Sequence, residues 1–236
     1  MTQEKELLIL GVNGSPRHGA TEKAVRICLN AAAEVPGVRT ALINLAGRQI
    51  NACINCNACL KRDLGRCAVF QDGFEQDFLE LYRQCDGIIL GSAIYQMNPT
   101  GLLTNFVSRL RPLGKLGRSG AFDMRMGGAI AVGGMRNGGQ DLTLAALNAT
   151  LQTLSVNIVG GGVLFYNGAA VWSQNQMEFD DWKGVLELEI MGRKIAYAAK
   201  VIRAGMDALA DTVSEANYAG FTSAAQMEEA YRRIGL

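Results

Sequence analysis

Four cysteines fall in one 15-residue run, Cys53-Ile-Asn-Cys56-Asn-Ala-Cys59 followed by Cys67, with the spacing C-x2-C-x2-C-x7-C. Thiolates at three-residue steps wrap one corner of a cubane iron-sulfur cluster and a fourth closes it, as in the bacterial ferredoxin run. A structural zinc ion is more commonly held by two separated C-x2-C pairs. The spacing therefore favours a [4Fe-4S] cluster, with zinc and free or redox-exchanging thiols as the alternatives. Lys61, Arg62 and Arg66 lie in the same loop and are expected to offset the negative charge of a thiolate-ligated cluster. The remaining cysteines, Cys28 and Cys85, occupy apolar helical or strand-entry positions and read as core.

A second candidate site is the segment Gly11-Val-Asn-Gly-Ser-Pro-Arg-His-Gly-Ala-Thr21, placed between an apolar strand and a helix. Backbone N–H groups at such a helix start attract an anion. Ser15 and Thr21 add hydroxyls, Arg17 adds charge, and Gly19 and Ala20 offer backbone amides. The segment has neither the Gly-Lys-Ser/Thr ending of a nucleoside triphosphate loop nor Gly-x-Gly-x-x-Gly, so it suits a phosphomonoester such as that of FMN. Two further loops fit a flat ring. Ser92-Ala-Ile-Tyr-Gln-Met-Asn-Pro99 supplies Ile94, Tyr95, Gln96 and Met97, while Gly133-Gly-Met-Arg-Asn-Gly-Gly139 supplies Gly133, Gly134 and Arg136. Arg136 would place positive charge beside an anionic reduced flavin. His18, the only histidine, reads as a loop residue with no triad partners. Asp180-Asp181 reads as a helix start ahead of Trp182. No residue is assigned a catalytic acid or base role.

Positioning these loops requires alternating strands and helices. Apolar runs predict strands over 7–12, 39–45, 87–91, 128–132 and 156–159. Helical periodicity predicts a helix over 21–33 capped by Thr21, and another over about 72–84. A third carries Leu102, Leu103, Phe106, Val107 and Leu110 and stops before Pro112. A fourth passes through Leu142, Leu144, Leu147, Leu151 and Leu154, and a long one over about 181–204 turns Leu186, Ile190 and Ile195 inward. The basic stretch 111–120 reads as a mobile loop, 160–180 as irregular, and 206–236 as two short amphipathic helices. The expected architecture is α/β: a doubly wound, five-stranded parallel sheet with a helical C-terminal extension. Residues 1–204 would form the FMN-binding domain, with the iron-sulfur loop at 51–68, and 205–236 the extension. In the strand order of flavodoxin, FMN sits outside the carboxyl ends of strands one and three.

Composition narrows the classes further. A net charge of +1, from 23 Lys+Arg against 22 Asp+Glu, provides no broad field for nucleic acid or anionic lipid. No apolar run approaches the roughly 18 residues of a membrane span, and Met1-Thr-Gln-Glu-Lys-Glu does not read as a signal peptide. A cytoplasmic protein with reduced or ligated thiols is expected. Of 236 residues, 28 are glycine, well above the usual share of about 7%, which suits loops needing close backbone approach.

Together, Gly14-Ser-Pro-Arg17, Tyr95, Gly-Gly-x-Arg-Asn-Gly-Gly-Gln140 and the compact cysteine run resemble the iron-sulfur flavoproteins, a branch of the NADPH-dependent FMN reductase group with a flavodoxin-like fold. The resemblance covers about residues 6–204. Two departures are Ala93, where the family usually has proline, and Gly19-Ala20, where it usually has Ser-Asn. The resemblance implies FMN and one [4Fe-4S] cluster in each chain, with electrons passing between them. It implies a homo-oligomer, dimer or tetramer, in which the cluster lies near another subunit's flavin. Ser15, Arg17 and Thr21 would hold the phosphate; Ile94, Tyr95, Gln96, Met97, Gly133, Gly134 and Arg136 would line the ring; Cys53, Cys56, Cys59 and Cys67 would ligate the cluster. The donor would be a reduced carrier such as ferredoxin or NAD(P)H. The rival expectations are an NAD(P)H-dependent FMN or quinone reductase with structural zinc, and a non-enzymatic redox or metal sensor.

Overall fold

The structure is a computed structural model, described for residues 6–118, 120–209 and 224–235. Its elements are β1 (Leu7–Asn13), α1 (Ala20–Ala33), β2 (Val38–Asn44), α2 (Ala58–Lys61), α3 (Glu80–Gln84), β3 (Gly87–Tyr95), β4 (Asn98–Pro99), α4 (Gly101–Ser108), α5 (Gly114–Arg118), β5 (Arg125–Gly133), α6 (Gln140–Thr153), β6 (Val156–Ile158), β7 (Ala169–Trp172), α7 (Trp182–Ala208) and α8 (Ala224–Arg233). The main sheet order is β2-β1-β3-β5-β6, with every pairing along that path parallel. This is the doubly wound, flavodoxin-like arrangement. β1 and β5 are buried along their whole length, which explains why all their residues but the terminal Asn13 and Arg125 are apolar or glycine.

Five strands were expected and the sheet contains seven. The expected fifth strand, 156–159, is present as β6, and β7 is an additional strand within 160–180. β6 pairs with Arg125–Gly127 at one end of β5, and β7 pairs with Ile130–Gly133 at the other. The 160–180 stretch is therefore not wholly irregular. β4 adds a short antiparallel arm to β3, pairing Tyr95 with Asn98 across Gln96-Met97.

Helices cover both faces. Ala24, Val25, Cys28 and Leu29 of α1 pack with Leu188, Met191 and Ile195 of α7 on one face. Phe74, Phe78, Tyr82, Leu103, Phe106, Leu144, Leu147 and Leu151 form the core of the other. Gly192 allows α1 and α7 to cross closely, because a Cβ there would collide with the Cys28 carbonyl. Burial pushes the Cys28 thiol up, and pushes that of Cys85 up to about 11, which fits two inert core cysteines.

Several local expectations require correction. Thr21 lies inside α1, where it is buried, and Gly19 occupies the cap position without a side-chain hydrogen bond. The 72–84 helix contains a wider π-helical turn over Glu75–Leu79 before α3. The stretch expected as a loop at 111–120 contains a 3-10 turn, Arg111–Leu113, and α5. Leu142 and Leu186 point outward, at 56% and 42% exposure. α7 continues through the expected boundary to Ala208, so the start of the proposed extension belongs to that helix. Of the expected tail, 210–223 and 236 lie outside the described residues. No helix among the described residues is long and apolar enough to cross a membrane.

Candidate functional site

At the end of β1 the chain is held from three sides. Gly14 N–H donates to the Gly91 carbonyl at 2.8 Å, Thr100 Oγ1 donates to the Gly14 carbonyl at 2.5 Å, and Asn13 Nδ2 donates to Asn44 Oδ1 at 2.9 Å. Ser15 is buried and its Oγ accepts from Arg17 N–H at 3.2 Å, while the Arg17 side chain is exposed. A Cβ added at Gly19 would meet nothing within 4 Å, so the backbone leading into α1 is open there, although Thr21 is buried. The leading N–H groups of a helix have no intrahelical acceptor, and here no side chain caps them. This cradle suits an anion such as the terminal phosphate of FMN. His18 is apart from any nucleophile and pairs with Glu22 at 2.7 Å.

The loops after β3 and β5 meet each other. A Cβ on Gly139 would lie 2.9 Å from Met97 Cα, and one on Gly133 would lie 3.1 Å from Ile94 Cδ1. Gln96 and Met97 both have positive φ, 51° and 64°, as a two-residue hairpin turn of the type I′ form requires. Neither is a residue that normally signals such a turn. Tyr95, Gln96 and Met97 are exposed, whereas Ile94 is half-buried. Gly133 and Gly134 carbonyls accept from Ser173 N–H and Trp172 Nε1 at 2.8 and 3.1 Å. Arg136 lies over the Trp172 ring, 4.6 Å from its centroid. Met97 and Arg136 also border an open cleft of about 590 Å³ between the starts of α6 and α7, which contains Trp172, Trp182, Lys183 and Glu187. Asp181 caps α7 by accepting from Gly184 N–H at 3.0 Å, as its position before Trp182 suggests.

Cys53, Cys56, Cys59 and Cys67 line one small cavity with Phe70, Arg109 and Arg111. Asn55 and Asn57 have φ of 55° and 59°, a left-handed geometry that Asn tolerates better than most residues. These alternating turns carry the chain around the cavity. Asn55 N–H donates to Cys53 Sγ at 3.4 Å, and Val69 and Phe70 N–H groups donate to Cys67 Sγ at 3.5 and 3.4 Å. Peptide N–H groups aimed at sulfur in this way suit thiolates that hold a metal or cluster. Burial is the main cause of the raised Cys59 thiol pKa. Among the described residues, no three His, Cys, Asp or Glu side chains converge at single-ion distances.

Residues 7–170 match the family model for NADPH-dependent FMN reductases. This chain belongs to that family. It is 35% identical over 200 residues to an iron-sulfur flavoprotein of Methanocaldococcus jannaschii, covering 83% of this chain and 98% of the relative. A second iron-sulfur flavoprotein from that organism is 34% identical over 183 residues, covering 77% and 87%. These relatives place the chain in the iron-sulfur flavoprotein branch. A solved flavone reductase shares the fold at a TM-score of 0.61 and 20% identity, covering 84% of this chain. The present chain spans 64% of that structure's length. This FMN reductase family member is a flavin-dependent oxidoreductase.

Within this flavoprotein, the cations beside the thiols differ from those expected. Lys61, Arg62 and Arg66 are exposed and do not line the thiol cavity; Arg109 and Arg111 do. Arg111 Nε donates to Asn57 Oδ1 at 3.1 Å. Arg109 is buried and makes a two-pronged ion pair with Asp72 at 2.6 and 2.9 Å. That guanidinium holds the Asp72 carboxyl down at about 2. Sequence reading missed Arg109, Asp72 and Glu75 because they lie beyond the cysteine run. The usable signal was a cation at a helix end, two residues before Arg111-Pro112.

Proposed function

We propose that the chain holds FMN at the ends of β1, β3 and β5, ligates a [4Fe-4S] cluster through Cys53, Cys56, Cys59 and Cys67, and transfers electrons between the two. The observation carrying this reading is the presence of all four cysteines of the C-x2-C-x2-C-x7-C run around one cavity, with peptide N–H donors on two of their sulfurs. The open, uncapped start of α1 supports the FMN phosphate site. Ser15, Arg17, Gly19, Ala20 and Thr21 surround that phosphate in this proposal. Ile94, Tyr95, Gln96 and Met97, with Gly133, Gly134 and Arg136, border the ring and limit water there. When bound, FMN converts between two-electron and one-electron chemistry, and the cluster exchanges single electrons.

A reduced carrier, ferredoxin or NAD(P)H, supplies the electrons in this reading. The exposed Tyr95, Met97, Met135, Leu142 and Trp182 support a homo-oligomer, since they offer apolar surface to a second copy. Anaerobic purification, a visible spectrum and analysis of iron, sulfide, zinc and FMN test the assignment. About four irons and four sulfides with one FMN per chain are expected. Zinc without sulfide would replace the cluster by a structural ion, and loss of FMN with retained cluster would leave a redox sensor.

A further inference from the structure

A charged network beside the thiols lies on the Cys67 side. Arg109 is 2% exposed and lines the cavity with the four cysteines. Its terminal nitrogens are occupied: Nη1 and Nη2 bind Asp72, Nη1 reaches the Asn51 carbonyl at 3.4 Å, and Nη2 lies 3.5 Å from Glu75 Oε1. Its Nε–H is buried without a partner. Phe70 and Phe74 rings lie 5.2 and 4.9 Å from the guanidinium carbon, so water is largely displaced by aromatic surface. Glu75 turns back to accept from Cys67 N–H at 2.8 Å. One charged network thus joins Asp72, Glu75 and Arg109 to the isolated fourth cysteine.

We propose that Arg109 is a positioning and potential-setting residue for the cluster, its buried Nε–H having no acceptor from the protein. This rests on the cluster reading above. A buried unsatisfied donor is costly, and a thiolate-ligated cluster supplies the acceptor that the protein lacks. Gaining one electron makes the cluster one charge more negative. A fixed guanidinium in a poorly hydrated site therefore favours the reduced form and raises the reduction potential. Asp72 opposes this effect while holding the guanidinium in place.

The test is an EPR-monitored redox titration of purified holoprotein. Iron and sulfide are measured first in the wild type; their absence defeats the cluster reading itself, whereas their presence makes the Arg109 test specific. Arg109→Gln should shift the reduced-to-oxidised ratio at fixed potential about tenfold toward oxidised, a fall of about 59 mV for one electron. Asp72→Asn should shift it the opposite way and provides the test if Arg109→Gln does not retain the cluster. Arg62→Gln, which removes an exposed cation from the same loop, should leave the midpoint in place. An unchanged midpoint in Arg109→Gln, a fall or no change in Asp72→Asn, or an equal shift in Arg62→Gln would overturn the proposal. Opposite signs from two partners in one ion pair are not expected of residues that only hold the loop together.

Discussion

The thiol cavity and the proposed flavin rim are built in different ways. The rim sits at the ends of three buried parallel strands and is shaped largely by backbone: the uncapped start of α1, the φ of 98° at Gly139, and the paired carbonyls of Gly133 and Gly134. The cavity is formed from irregular chain and the short α2, and its chemistry resides in side chains, four cysteines and two arginines. A backbone site distributes its binding over many amides, so one substitution weakens it. A side-chain site loses an entire ligand when one residue changes.

The largest effect should therefore come from Cys59→Ala, which is expected to lose iron and sulfide while keeping FMN. Equal loss of flavin would show that the two regions are not separable. Next is Gly139→Ala on the rim. A side chain in that positive-φ conformation, against Met97 Cα, should cost about 3 kcal/mol of stability and weaken FMN binding. Denaturant unfolding and flavin titration measure the two effects, and an unaffected variant would remove backbone shape as the basis of the rim.

Acid should test the cavity's charged support. Arg109 holds the folded Asp72 carboxyl at about 2, against its usual 3.8. A depressed carboxyl stabilises the fold above its unfolded pKa, and that stabilisation is lost as pH falls through the folded value. A contribution of about 2 kcal/mol should therefore be present above pH ~4 and disappear toward pH ~2. Asp72→Asn should abolish this part of the acid dependence in pH-dependent urea melts. The smallest effect is expected for Arg17→Ala, which should weaken FMN by about 1.5 kcal/mol, or roughly tenfold. Unchanged affinity in a fluorescence titration would exclude Arg17 from the site.

The strand and helix sequence was legible where burial imposes a pattern. Apart from the terminal Asn13 and Arg125, Leu7–Asn13 and Arg125–Gly133 are apolar or glycine because both faces are covered. The hairpin at Gln96-Met97 was hidden because neither residue carries the usual turn signal, and only packing against Gly139 explains its geometry. β7 was hidden for another reason. Its four residues are too few to display periodicity, and it is defined by the half of β5 it joins. The four cysteines fall in one 15-residue run and were legible as one candidate site, whereas Arg109 and Asp72 are 37 positions apart and meet only after folding.

The outer side of β7 has a consequence for assembly. Ala170 N–H donates to Glu187 Oε2 at 3.0 Å, and Trp172 N–H to Asp181 Oδ2 at 2.8 Å, so two carboxylates from the neighbouring helix segment occupy the donors of an edge strand. An open strand edge is a template on which another chain can continue the sheet. Here the template is already read by the protein's own acids. Association of copies along this border must proceed through side-chain surfaces, and the same two residues guard the chain against strand-by-strand polymerisation.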